Sequence, residues 1–122
     1  MRSIYPVLRY PDVHAAVDFL RSAFGLTVHE LHSGPDGAVR HAQLGHGDGL
    51  VMIGPGPAPA SRPADDDYRV YLAVDDVDAH HRQARAAGAE IVRSPFDTDY
   101  GSRDYAARDL VGMVWSFGTY GP

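Results

Sequence analysis

One short pattern occurs twice in this chain, and that duplication restricts its fold more than any other feature. In the first half, Ser3 to Tyr10 reads as a strand, Pro11 stops it and Asp12 is placed as a helix N-cap. Val13, Ala16, Val17, Leu20 and Phe24 then recur at helical spacing until Gly25. In the second half, Tyr68 to Val74 reads as a strand and Asp75-Asp76 offers the cap. Val77, His81, Ala84 and Ala87 make a weaker stripe that ends at Gly88. Phe24-Gly25-Leu26-Thr27-Val28 matches Ala87-Gly88-Ala89-Glu90-Ile91. A repeat of this size points to two copies of one small module. In each copy a helix covers one face of the strands, and the other faces are left to form something concave.

Strands are predicted after each helix. In the first half they are Leu26 to His32, Val39 to Leu44 and Leu50 to Ile53, with turns at Ser33–Gly37 and Gly45–Gly49. In the second, Ala89 to Arg93 is a strand and Ser94 to Gly101 a loop. The chain then closes on a hairpin: a strand with Tyr105 and Ala107, a four-residue connection Asp109 to Gly112, and an apolar run Val114 to Phe117. Residues 1–54 form module one and 68–122 module two. The linker 55–67, rich in proline and then aspartate, suits neither a ladder nor a helix interior.

Composition excludes several chemistries. With no cysteine there is no disulfide, thiolate metal site or cysteine nucleophile. All 11 basic residues are arginine, which removes Schiff-base lysine chemistry. A net charge of −5 with scattered arginines argues against a nucleic-acid surface. No apolar run is long enough to cross a membrane. The absence of a basic-then-apolar start gives the expectation of a cytoplasmic location.

Certain stretches resemble a known family. They are Leu8-Arg9-Tyr10-Pro11-Asp12 leading to Phe19-Leu20 and Ala23-Phe24-Gly25; Val74-Asp75-Asp76-Val77-Asp78-Ala79; Ala87-Gly88-Ala89; and Tyr100 through Tyr120. Within the last, Arg108-Asp109-x-x-Gly112-x-x-Trp115-Ser116-Phe117-Gly118-Thr119 is the most specific. The chain resembles the vicinal oxygen chelate superfamily, which includes glyoxalase I, bleomycin-resistance proteins and extradiol dioxygenases, and within it the PhnB-like branch. The resemblance implies an α+β fold of two βαβββ modules. Their sheets curl into an open cup with helices on the outer face, and the usual state is a homodimer. Metal-dependent members hold a divalent ion with four His, Glu or Gln residues. Carried over, those positions are Tyr5, Met52, Arg69 and Ser116. None suits a hard or borderline cation, and Arg69 would repel one. The expectation is therefore no metal and no cofactor.

Strand parity selects the cup lining: Tyr5, Val7 and Arg9; His41 and Gln43; Met52; Arg69 and Tyr71; Val114 and Ser116. Tyr100 and Arg103 are placed at the rim, and Trp115, of opposite parity to Ser116, in the core. Such a lining suits a small molecule with an apolar body and a few polar groups. Each residue also has a structural reading: half-buried sheet tyrosines, a hydrogen-bonded His41, and Arg69 paired with Asp65, Asp66 or Asp67. Asp76 and His80 lie one helical turn apart on a solvated face. His29 and His32 fall on opposite strand faces and do not chelate together.

Two functions fit. One is a metal-free protein that binds a drug or a hydrophobic or aromatic metabolite, as bleomycin-resistance proteins do. The other is a lyase, isomerase or dioxygenase, either binding a divalent metal or using His41 or Tyr5 as acid or base.

Overall fold

The computed structural model describes residues 3–60 and 69–121. The chain divides into two compact units, Met1–Ala58 and Pro59–Pro122. Expectations for Asp65, Asp66 and Asp67 lie outside the described residues.

The first unit runs β1 (Val7–Tyr10), α1 (Val13–Phe24), β2 (Thr27–Ser33), β3 (Val39–His46) and β4 (Gly49–Pro55). Its sheet order is β1-β4-β3-β2, with β1 parallel to β4 and the other pairs antiparallel. Asp12 caps α1 by accepting from the Ala15 N–H at 3.0 Å. Gly25, at φ 75°, turns the chain out of the helix and donates to the Arg21 carbonyl, in the left-handed conformation that glycine adopts without penalty. The buried stripe holds the predicted Val13, Ala16, Val17, Leu20 and Phe24 and adds Ala23. It packs against the sheet face that presents Ala42, Leu44 and Ile53, all of them buried.

The second unit repeats this order: β5 (Val70–Ala73), α2 (Val77–Ala86), β6 (Glu90–Asp97), β7 (Arg103–Arg108) and β8 (Val114–Gly118). The sheet order is β5-β8-β7-β6, again with one parallel pair, β5 and β8. Each unit is thus a βαβββ module with a mixed four-stranded sheet. Asp76 caps α2 through the Ala79 N–H at 3.0 Å. The helix is less apolar than α1, and only Val77 and Ala84 are buried. Aromatic residues of the sheet compensate. Tyr105 stacks on Phe117 at 4.8 Å between centroids, and the His80 ring lies 4.6 Å from Phe117. His80 Nδ1 also hydrogen-bonds the Tyr105 hydroxyl. His80 is therefore a half-buried packing residue, which corrects the solvated placement expected for it.

The turn between β7 and β8 is built on Asp109, which is 6% exposed. Its Oδ1 accepts from the Val111 and Met113 N–H groups, both at 3.0 Å, and its Oδ2 from Trp115 Nε1 at 3.1 Å. Trp115, Phe117, Tyr105 and Ala107 are buried together on the helix face.

Several boundaries differ from those read in the sequence. The first strand begins at Val7, so Ile4 and Tyr5 precede it. The hairpin connection spans residues 109–113, because Met113 is drawn into the turn by Asp109. The segment expected as a loop from Ser94 is strand as far as Asp97. β6 is an edge strand, so Pro95 costs it no ladder bond, and irregularities between Arg93 and Phe96 absorb the misfit. In β2 a bulge between Val28 and Glu30 brings the His29 ring against Gly45, while His32 pairs with His41 across the same open face. The regular alternation that would have put His29 and His32 on opposite faces is broken there.

Replacing Asp109 with alanine leaves two backbone donors and a buried indole N–H without their acceptor. We expect a loss of about 3 kcal/mol in urea unfolding, from charge-assisted bonds worth ~1.5–3 kcal/mol each and partly recovered by water. Asp109→Asn, which keeps one acceptor oxygen, should lose about half as much.

Candidate functional site

Alternation decides what each sheet offers opposite its helix. On β5 and β8 the residues facing away from α2 are Tyr71, Ser116 and Gly118, and Arg69, just before β5, joins them through Ser116; β7 adds Asp104 and Ala106. A bulge between Ile91 and Arg93 on β6 adds both Val92 and Arg93, and Phe96 follows. With Tyr100 and Tyr105 these residues line a cavity of about 430 Å³. That is within the ~300–1,000 Å³ that small-molecule sites occupy.

The floor of the cavity is a hydrogen-bonded chain. Tyr71 donates its hydroxyl to Asp104 Oδ1 at 2.9 Å and accepts the Tyr120 N–H at 3.1 Å. Ser102 Oγ donates to the same Asp104 oxygen at 3.1 Å, and Thr98 Oγ1 lies 2.9 Å from Ser102 Oγ. Asp104 is 8% exposed. A Cβ at Gly118 would fall on Asp104 Oδ1 and the Tyr71 hydroxyl, so this position has room only for glycine. Burial, with a further contribution from the hydrogen bond to Asp104, pushes the Tyr71 hydroxyl up to about 12; the Tyr120 N–H acts in the opposite sense. Burial also pushes Tyr105 up.

The walls are cationic and aromatic. Arg69 Nη1 donates to Ser116 Oγ at 3.0 Å. Arg93 lies over the Phe96 ring with Cζ 3.4 Å from its centroid, a cation–π contact. Next to the cavity, Tyr71, Tyr100 and Tyr120 form a shelf together with Ala73 and Gly121. Tyr120 meets Tyr71 edge-on at 6.3 Å and Tyr100 edge-on at 5.7 Å.

Of the predicted lining residues, Arg69, Tyr71, Tyr100 and Ser116 meet in this cavity. Val114 is buried beside the β7–β8 turn. Arg103 lies on the other face of β7, where Asp78 and Asp97 hold it at 3.0 and 3.1 Å. In the first unit Val7 pairs with Met52, and Met52 with Gln43, on the sheet face opposite α1. His41 lies on that face close to Gly54, beside Arg9, whose Nη1 donates to the Pro55 carbonyl at 3.1 Å. Tyr5, Val7 and Met52 are 44%, 53% and 37% exposed. Asp104, Arg93, Phe96 and Tyr120 were not predicted. Asp104 was within reach of the sequence, since it shares parity with Ala106 and Ser116 across the hairpin.

Tyr5, Met52, Arg69 and Ser116, the positions that the resemblance assigns to ion ligands, do not suit a divalent cation by their chemistry. They present a phenol, a thioether, a guanidinium and a hydroxyl, and the last two are hydrogen-bonded to each other.

A sequence profile of the Glyoxalase/Bleomycin resistance protein/Dioxygenase superfamily matches residues 3–117, and the chain belongs to that superfamily. An uncharacterized protein of Mycobacterium bovis is 31% identical over 125 residues, covering 95% of this chain and 82% of its own length. Among solved structures, TioX from Micromonospora sp. ML1 is 33% identical with a TM-score of 0.79, covering 99% of this chain and 98% of that one. A glyoxalase I variant from Zea mays shares the fold at 20% identity, also with a TM-score of 0.79; this chain spans 46% of it. Among the described residues no helix is long and apolar enough to cross a membrane.

The raised Tyr71 pKa has a definite sign. Its contribution to stability is complete below pH 10, the unfolded value, and is lost as pH rises towards about 12. Phenolate absorbance should show Tyr71 and Tyr105 ionising above the ordinary tyrosine range. Tyr71→Phe should remove one late-ionising group, and Gly118→Ala should return Tyr71 towards an ordinary tyrosine.

Proposed function

We propose that this chain is a metal-free binding protein for an aromatic small molecule, seated on the open face of its second unit. The observation that carries this reading is the hydrogen bond between Arg69 and Ser116. It joins two of the four positions at which the family's ion-holding members place ligands, and it puts a fixed positive charge there. The tyrosine shelf supports the same reading, since rigid aromatic faces hold a planar ligand at little entropic cost. The floor supports it as well: Tyr71, Asp104 and Ser102 hold one another, so the pocket keeps its shape before a ligand arrives.

In this reading the protein sequesters its ligand without chemistry. The ligand is a drug or an aromatic metabolite, and the protein acts as a homodimer in the cytoplasm. Its assignment to the PhnB-like branch belongs to the same proposal.

Purified protein should hold far less than one divalent metal per chain by elemental analysis, and added nickel or zinc should not create glyoxalase activity. It should bind 2-naphthol in a fluorescence titration that is insensitive to chelator, and Tyr100→Ala should weaken binding about fivefold to tenfold. A metal content near one per chain, with turnover lost on chelation, would overturn the proposal, as would failure to bind either naphthol or its charged and ester analogues.

A further inference from the structure

The polar groups of the cavity in the second unit differ in how a ligand meets them. Asp104 carries the negative charge, but it is 8% exposed and its Oδ1 already accepts from Tyr71 and Ser102. Arg69 and Arg93 are exposed, and both line the cavity. Among the described residues neither guanidinium has a carboxylate partner: Arg69 bonds the neutral Ser116 hydroxyl, and Arg93 rests on the neutral Phe96 ring. Both contacts fix the orientation of a guanidinium without consuming its charge. The cavity contrasts with Arg103, which Asp78 and Asp97 engage on the opposite face of β7, and with Arg40, which pairs with Asp36. An apolar shelf of three tyrosines, Tyr120 edge-on to the other two, adjoins the two arginines and shares Tyr71 and Tyr100 with their cavity.

We propose that the ligand is an aromatic carboxylic acid, its ring on the Tyr71–Tyr100–Tyr120 shelf and its carboxylate between Arg69 and Arg93. This rests on the reading of the second unit as a binding site and specifies the chemistry it selects. A guanidinium presents several N–H donors in a plane that matches the two oxygens of a carboxylate. Ser116 and Phe96 hold the two guanidiniums in place beforehand, so little side-chain freedom is lost on binding. The protein's overall negative charge lowers the rate of encounter with an anion, but it does not reach the contact itself, because exposed charges beyond ~8–10 Å are screened at physiological salt. Asp97, the acidic residue that ends β6, is turned to Arg103.

Three probes with one ring system test the assignment: 2-naphthoate, its neutral methyl ester, and 2-naphthylmethylammonium. Each is titrated into the intact protein at neutral pH, with 2-naphthol as the common reference. We expect naphthoate to bind at least about tenfold more tightly than the ester and naphthol, and the ammonium probe to bind more weakly than either. Arg93→Gln and Arg69→Gln should each remove most of that preference, lowering naphthoate affinity at least about fivefold more than naphthol affinity. Naphthol binding also shows that each variant is folded. Arg69→Lys, which keeps a charge but loses the planar fork, should recover only part of it. If naphthol binds but the acid binds no better than the ester, or if the ammonium probe binds best through Asp104, the carboxylate assignment is overturned and the binding reading stands. If none of the four binds, both fall.

Discussion

The register of β7 against β8 sets almost everything on the second unit, and Asp109 holds that register. One carboxylate gathers two backbone N–H groups of the turn and the indole N–H of Trp115. With the turn closed in this way, Tyr105 faces Phe117 and Ala107 faces Trp115 beneath α2, while Asp104, Ala106 and Ser116 face away. A slip of one residue would exchange the two sets and place an indole in the cavity and a serine in the core. The aromatic cluster and the polar cavity are the two sides of one pairing.

Seen this way, the duplication is structural and not chemical. The register makes Ile53 the counterpart of Phe117, Met52 of Ser116, Val7 of Tyr71, His41 of Asp104 and Gly54 of Gly118. The bulges correspond too: Val28/Glu30 in β2 and Ile91/Arg93 in β6. Even the local contact recurs in altered form. Glu30 is 3.2 Å from His32, where the second unit sets Arg93 on Phe96. The backbone plan has been kept while the charge at the bulge has changed sign, from an acid on β2 to a base on β6.

Much of this was legible in the sequence. Asp12 and Asp76 as caps, Gly25 and Gly88 as stops, and the stripe of α1 all follow from local chemistry, which needs no partner to be read. The faces of β3, β5 and β8 followed from alternation. What was missed depends on pairing across the sheet. No local signal shows that β6 continues through Pro95, because proline is tolerated there only by virtue of the edge position. Arg93 and Phe96 enter the cavity through irregularities that β7 imposes on β6. His80 owes its burial to Tyr105 and Phe117 and not to its own helix.

Gly118 has a consequence for how such a protein can diversify. Its α-hydrogen is all that fits between Asp104 and Tyr71, so the floor of the cavity is closed to substitution. The rim is not: Arg69, Arg93, Tyr100 and Tyr120 are exposed and carry little of the core. A lineage using this scaffold would keep an invariant base and exchange the residues around its mouth. Changes in what it binds would then be recorded at the positions that contribute least to folding.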